Sequence, residues 1–257
     1  MAEKTQRKNS NALIIALIAV IVIAIAVAGV LIARSASASK SAEAAASVTQ
    51  TADPALAMPA VEDKEAMEYV KGLATRTEGD PLAIGDKDAP VVMLEFSDFS
   101  CPQCSEWAVN KYPELAQYIE SGVLRIEYHD FVIFDQQYSS GLAALGAWAA
   151  GQQGKFWEYY EAGMQKSLDS HFNWDVDSVA ALAQQVGVAD MAKFESDINS
   201  QAAAMSVQAN TMLAQQLGFT GTPAFLVNNR GIGGNADIDT FKATIEAAAA
   251  DVAAGKF

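Results

Sequence analysis

Val91-Val92-Met93-Leu94-Glu95-Phe96-Ser97-Asp98-Phe99-Ser100-Cys101-Pro102-Gln103-Cys104, residues 91–104, decides how this chain is read. Its first part, VVMLEF, is a short apolar run, which reads as a buried strand. A loop from Ser97 to Ser100 leads to Cys101. Residues 102–120 then place Trp107, Ala108, Tyr112, Leu115 and Tyr118 on or near one face, which predicts a helix ending at Gly122. Pro113 falls inside it and predicts a kink or break. Val123 to Phe134 follows as a second strand, with Val123, Leu124, Ile126 and Tyr128 carrying the pattern. The unit is β-α-β, with a right-handed crossover between parallel strands.

The chemistry lies in Cys101-Pro102-Gln103-Cys104, at the strand-to-helix junction. The chain has 2 cysteines, which excludes a scaffold of structural disulfides and a four-thiolate zinc site. Residues three apart inside a helix hold their Cβ atoms about 5–6 Å apart. A disulfide needs about 3.8 Å, so Cys101 must sit at the helix cap, outside helical geometry. Pro102 suits the first helical position. A cap thiol faces unpaired N–H groups and the positive end of the helix dipole, which favour the thiolate, the attacking species. Cys101 then reads as the nucleophile and Cys104 as the resolving thiol. Two other readings stay open: half of a zinc site completed by His129 and His171, the only histidines, or a buried inert pair.

Downstream, residues 139–150, 154–167, 176–186, 189–198 and 200–217 read as helices with Gly, Ser and Asp punctuation. Gly221-Thr222-Pro223 precedes an apolar strand, Ala224 to Val227, and the turn signal Asn228-Asn229-Arg230-Gly231 predicts a hairpin over 224–234. Asp237 or Asp239 caps a final helix to about residue 254.

Upstream, Ala12 to Ala33 is a run of 22 uncharged, mostly apolar residues. At about 1.5 Å per residue a helix of that length crosses the roughly 30 Å hydrocarbon core. Lys4, Arg7 and Lys8 outweigh Glu3 before it, so residues 1–11 read as cytoplasmic, 12–33 as a single transmembrane anchor and the rest as exported to the outer side of the cell membrane. A cleaved signal peptide is the alternative, with Ser35 to Ala38 as cleavage site, although its apolar part is usually about 7–15 residues. Residues 34–80 read as an Ala/Ser-rich tether holding a short amphipathic helix within 61–75. The net charge is −14, and residues 1–40 carry +4, so the remainder carries −18. A body this acidic repels nucleic acid.

Leu82-Ala83-Ile84-Gly85-Asp86, Ala89-Pro90, Glu95 to Phe99, Cys101 to Cys104, Gly154-Lys155-Phe156-Trp157 and Gly221-Thr222-Pro223, in this order, resemble the DsbA-like thiol–disulfide oxidoreductases, in layout their membrane-anchored members. The resemblance covers about residues 82–257. It implies an α/β thioredoxin-like fold over 81–257, with a helical domain inserted at about 138–217. It implies transfer of disulfide bonds to exported cysteine-containing proteins through the Cys101–Cys104 disulfide, with no other cofactor and no metal. A membrane quinone-linked protein would reoxidise the pair. It further implies a cis bond before Pro223, pairing of the Thr222 backbone with an extended substrate chain, and an acid at Glu95 beneath the resolving cysteine. A buried carboxylate is costly unless paired or functional, which favours a proton relay; a carboxylate reaching water at a strand end is the other possibility. Gln103 stands where strongly oxidising relatives often have His, which implies a milder oxidant.

Outside this set, Trp107, Phe156, Trp157, Trp148 and Trp174 read as packing residues, His129 as a satisfied histidine at a strand end and His171 as an exposed loop residue. The same pair of thiols could run as a reductase or isomerase, since direction follows potential against the compartment. A fold kept as a chaperone-like binding module is a third reading.

Overall fold

A computed structural model describes residues 57–257. The expected anchor (12–33), the N-terminal segment before it and tether residues 34–56 lie outside the described residues. Among the described residues, no helix is long and apolar enough to cross a membrane.

Five strands form one sheet in the order β1-β3-β2-β4-β5: β1 Ala83–Ile84, β2 Val91–Ser97, β3 Leu124–Asp130, β4 Ala224–Val227 and β5 Arg230–Gly233. β2 and β3 are parallel, with Glu95 opposite Tyr128; the other pairings are antiparallel. β2 is central and buried along its whole length, as the VVMLEF run requires. Its side chains alternate between two cores. Val91 and Met93 join Ile126, Tyr128, Phe225 and Phe241 on one face. Val92, Leu94 and Phe96 join Val70, Leu217 and Leu226 on the other.

Between β2 and β3 the backbone is less regular than the sequence reading. It runs as α-helix α2 (Pro102–Glu106), a π-helical turn (Trp107–Lys111), a 3-10 turn (Tyr112–Leu115) and α3 (Ala116–Glu120). Pro113 explains the change of pitch, because it has no N–H to continue an α-helical ladder. β3 stops at Asp130, short of the expected Phe134. The carboxylate of Asp98 takes over there, accepting from the backbone N–H of Ile133 (2.8 Å) and Phe134 (3.0 Å).

Six helices lie between β3 and β4: α4 (Asp135–Tyr138), α5 (Ser140–Gly151), α6 (Phe156–Lys166), α7 (Val176–Gln185), α8 (Met191–Ile198) and α9 (Gln201–Gln216). The last three are capped by side chains: Asp175, Asp190 and Ser200 each accept a backbone N–H; the first three have no side-chain cap. The hairpin β4–β5 and the closing helix α10 (Ile238–Ala253) complete the fold.

The N-terminal boundary is a correction. Residues 57–80, read as tether, pack on the sheet. Ala57 bridges to Ile232, Met58 N–H donates to Gly231 and Val61 N–H to Asn229. Helix α1 (Lys64–Lys71) buries Ala66 and Val70. The Thr75 and Arg76 N–H groups reach the Glu127 carboxylate at 2.8 and 2.9 Å. Composition hid this, because the segment is held mainly by backbone hydrogen bonds to an edge hairpin. The short strand β1 was missed for a related reason: two residues carry no readable period.

Candidate redox site

Cys101 is the N-cap of α2, with extended backbone (φ −87°, ψ 115°), and Pro102 follows as the first helical residue. This is the geometry the disulfide argument demanded. Both cysteines are free thiols. Cys101 keeps 4% of its surface exposed and Cys104 none, so the nucleophile is more covered than a freely accessible thiol.

The two sulfurs are held in opposite states. The Cys101 thiol is brought down from 9.0 to about 6, chiefly by a hydrogen bond from Cys104. Burial opposes this, while the Thr222 side chain and the N–H groups of Gln103 and Cys104 add to it. Cys104 is pushed well above the ordinary thiol value by burial first, then by the neighbouring Cys101 sulfur. A thiolate at the cap and a protonated thiol behind it make a nucleophile with a resolving partner.

The Thr222–Pro223 peptide is cis. In its thiol form Cys101 Sγ donates to the Thr222 carbonyl at 3.5 Å. The structure therefore brings the Thr222 carbonyl, at the cis bond to Pro223, to the sulfur. It adds the Thr222 side chain, whose buried Oγ1 makes no conventional hydrogen bond yet favours the thiolate of both cysteines. The sequence reading had used only the backbone of Thr222.

Glu95 lies fully buried on β2, which excludes the water-exposed alternative. Its Oε1 accepts from Ser97 Oγ and from Tyr160 OH, both at 2.7 Å. Burial raises its pKa, and the Tyr160 and Ser97 hydroxyls pull the other way, with a smaller effect from the nearby Trp107 indole, which makes no hydrogen bond. Tyr128 and Tyr160 each feel charge at both Glu95 and Cys104, so the carboxylate and the resolving thiol lie on the same side of the sheet, near the same two tyrosines. Tyr160 was missed because its partner is 65 residues away in the chain.

Gln103 is exposed, and its Oε1 accepts weakly from Asn235 Nδ2 at 3.4 Å. Lys111 holds that loop by donating to Asn235 O, Asn235 Oδ1 and Ala236 O at 3.1, 2.8 and 2.9 Å. The histidines do not meet the thiols as a zinc site would need. His129 pairs through Nδ1 with Asn210 Oδ1 (3.1 Å) and stacks on Phe96. His171, read as exposed, is half-buried: its Nδ1 lies 2.6 Å from the Ser100 carbonyl and its ring stacks on Tyr138. Trp107, Phe156 and Trp174 are buried as expected. Trp148 and Trp157 pack against the core less completely.

Comparison with known proteins agrees with this geometry. The family model described as Thioredoxin matches residues 77–247. A probable disulfide bond formation protein D of Bacillus anthracis is 29% identical over 167 residues, 64% of this chain and 76% of the relative. Disulfide bond formation protein D of Bacillus subtilis is 26% identical over 173 residues, 66% of this chain and 77% of the relative. The crystal structure of oxidised BdbD from Bacillus subtilis superposes with a TM-score of 0.60 at 27% identity, covering 67% of this chain and 94% of that one. With a strand-to-helix dithiol facing a cis-proline and a family model spanning most of the described residues, the chain belongs to the thioredoxin family, as a DsbA-like thiol–disulfide oxidoreductase.

Proposed function

We propose that this protein introduces disulfide bonds into exported cysteine-containing proteins through Cys101 and Cys104, from the outer side of a membrane that holds it by residues 12–33. The observation that carries the direction is the place of Cys101 at the N-cap of α2, ahead of Pro102 and beside the Cys104 thiol, which favours its thiolate and lowers it to about 6. A stabilised thiolate favours the reduced enzyme and makes it a better leaving group, so the disulfide form tends to oxidise its partner.

The steps follow from the site. A substrate chain lies extended along Thr222, its backbone pairing with that residue. Its thiolate attacks Cys101 Sγ, the Cys101–Cys104 bond breaks and Cys104 leaves, taking a proton from Glu95. A second substrate thiolate attacks the mixed disulfide, forming the substrate disulfide and releasing Cys101 as thiolate. Two electrons have then moved from substrate to enzyme. A membrane quinone-linked protein that removes them would work in the same plane as the anchored enzyme, which raises their effective concentration.

Trapping with Cys104→Ala tests this: mixed disulfides on Cys101 with exported proteins are expected, identified by mass spectrometry. Alkylation of the wild-type protein in cells reads the direction. A mostly disulfide pair supports the oxidase; a mostly dithiol pair overturns it in favour of a reductase.

A further inference from the structure

We infer that Tyr160, on the inserted helix α6, is a positioning residue for the redox reaction: its hydroxyl holds one oxygen of Glu95 and leaves the other to carry the proton exchanged with Cys104. This rests on the proposed reading of Glu95 as the proton carrier.

The two oxygens of Glu95 are unequal. Oε1 already accepts two short hydrogen bonds, from Tyr160 OH and Ser97 Oγ, both at 2.7 Å. Oε2 is buried and has no partner. An oxygen that accepts two donors is the weaker base, so a proton goes to Oε2. The nearby indole of Trp107 can only donate, and its Nε1 is itself without a hydrogen bond. Cys104 is fully buried, so a carboxyl inside the protein is better placed than bulk water to supply its proton.

The phenol of Tyr160 suits a fixed donor. Burial and the adjacent Glu95 push it well above the ordinary tyrosine value, so it stays protonated. Its ring packs on Tyr128, Phe156 and Trp157 without help from the hydroxyl, and Glu95 is the partner the hydroxyl has. The titratable groups facing this pocket are Tyr160 of α6, Tyr128 of β3, Tyr112 of the 3-10 turn and Cys104 of α2, with Asp98 and Asp130 acting through Tyr128. The groups that hydrogen-bond Glu95 are Tyr160 and Ser97, both neutral donors; the Trp107 indole lies near enough to favour the carboxylate but makes no hydrogen bond to it.

In the oxidising direction the Cys101–Cys104 bond breaks as the substrate sulfur bonds to Cys101. Cys104 departs with the electron pair and takes the proton from Oε2. The carboxylate left behind is held by Tyr160 and Ser97. When the disulfide is remade, Cys104 returns its proton to Oε2.

The test compares the full-length protein with Tyr160→Phe, Ser97→Ala and Glu95→Gln. Each is assayed for single-turnover oxidation of a dithiol peptide between pH 5 and 10. Loss of a hydrogen bond to the ionised form disfavours it, so Tyr160→Phe should move the Glu95 limb of the profile upward by about one to two pH units. Ser97→Ala should move it in the same sense, without touching the aromatic packing. The protonated carboxyl band in the infrared spectrum, assigned by its loss in Glu95→Gln, should persist to correspondingly higher pH in both. If Glu95→Gln removes the limb but neither donor variant moves it or the band, the role of Tyr160 is overturned and the relay stands. If Glu95→Gln leaves rate and profile unchanged, the relay itself falls, and the inference with it.

Discussion

At the scale of single residues the site is a set of opposed proton affinities. Cys101 is held at about 6, against 9.0 for an ordinary thiol. A lowered folded value means that the thiolate stabilises the reduced fold, fully above pH 9 and not at all once pH falls below about 6. Cys104 does not offset this in that window, because its value is raised and it stays protonated. The reduced protein should therefore gain stability over the oxidised one by up to about 1.4 kcal/mol per pH unit between those limits. Paired urea titrations at several pH values measure this, and a flat difference would sink it. Thiolate absorbance near 240 nm should give a midpoint near 6, lost in Cys101→Ser and kept in Cys104→Ala with a higher midpoint. Gln103 offers the neighbouring sulfur no cationic donor, so Gln103→His should make the protein more oxidising in a glutathione redox titration. An unchanged midpoint would refute the reading of Gln103 as the cause of a mild potential.

At the scale of elements, the active-site loop is fastened to the inserted helices by few groups. Asp98 is the main one. Its Oδ1 accepts from Ser100 N–H, and its Oδ2 from the N–H groups of Ile133 and Phe134 and from Ser140 Oγ. Burial raises its pKa and these donors oppose the shift. Asp98→Ala would leave them unpaired in the interior, each costing about 1–3 kcal/mol unless water enters. A loss of at least about 3 kcal/mol in denaturant unfolding is expected, and a loss under about 1 kcal/mol would show that the loop holds without it. Phe99 adds an apolar fastening, its ring lying 6.1–6.3 Å from those of Tyr128, Tyr159, Tyr160 and Trp174. Gly163 leaves room for it, since a Cβ there would come within 3.0 Å of the Phe99 ring. The inserted helices thus share a core with the thiol site.

At the scale of the whole molecule, the domain extends beyond the stretch that carries the resemblance. Arg125 and Glu127 form a buried ion pair, with Nε donating to Oε1 at 2.7 Å. Glu127 also takes the Thr75 and Arg76 N–H groups. Burial pushes its carboxyl up, but these donors outweigh it and hold it below the usual value. Removing residues 57–80 leaves that pair in place but strips Glu127 of these two N–H donors, at about 1–3 kcal/mol for a buried group left unsatisfied, and uncovers the surface on which Ala66 and Val70 are buried. A chain beginning at residue 57 should therefore melt well above one beginning at 81; equal melting temperatures would return residues 57–80 to the status of a tether. Deleting residues 1–34 should release the protein from the membrane fraction with its dithiol activity kept, and retention there would remove the anchor from the proposal.

Order along the chain, period and punctuation were enough to place most elements, the dithiol and its cap, because these depend on neighbours a few residues apart. The strand–loop–Cys-Pro-Gln-Cys run, the helices from Ser140 to Gln216 and the hairpin after Pro223 are of this kind. Tertiary structure alone decided which oxygen of Glu95 is engaged, that the Thr222 carbonyl meets the Cys101 sulfur, that His171 leans on Ser100, and that residues 57–80 belong to the fold. Each of these joins side chains or backbone groups far apart in the chain. Hydrogen bonds and burial at such separations depend on how the sheet and helices come together, which local pattern does not encode.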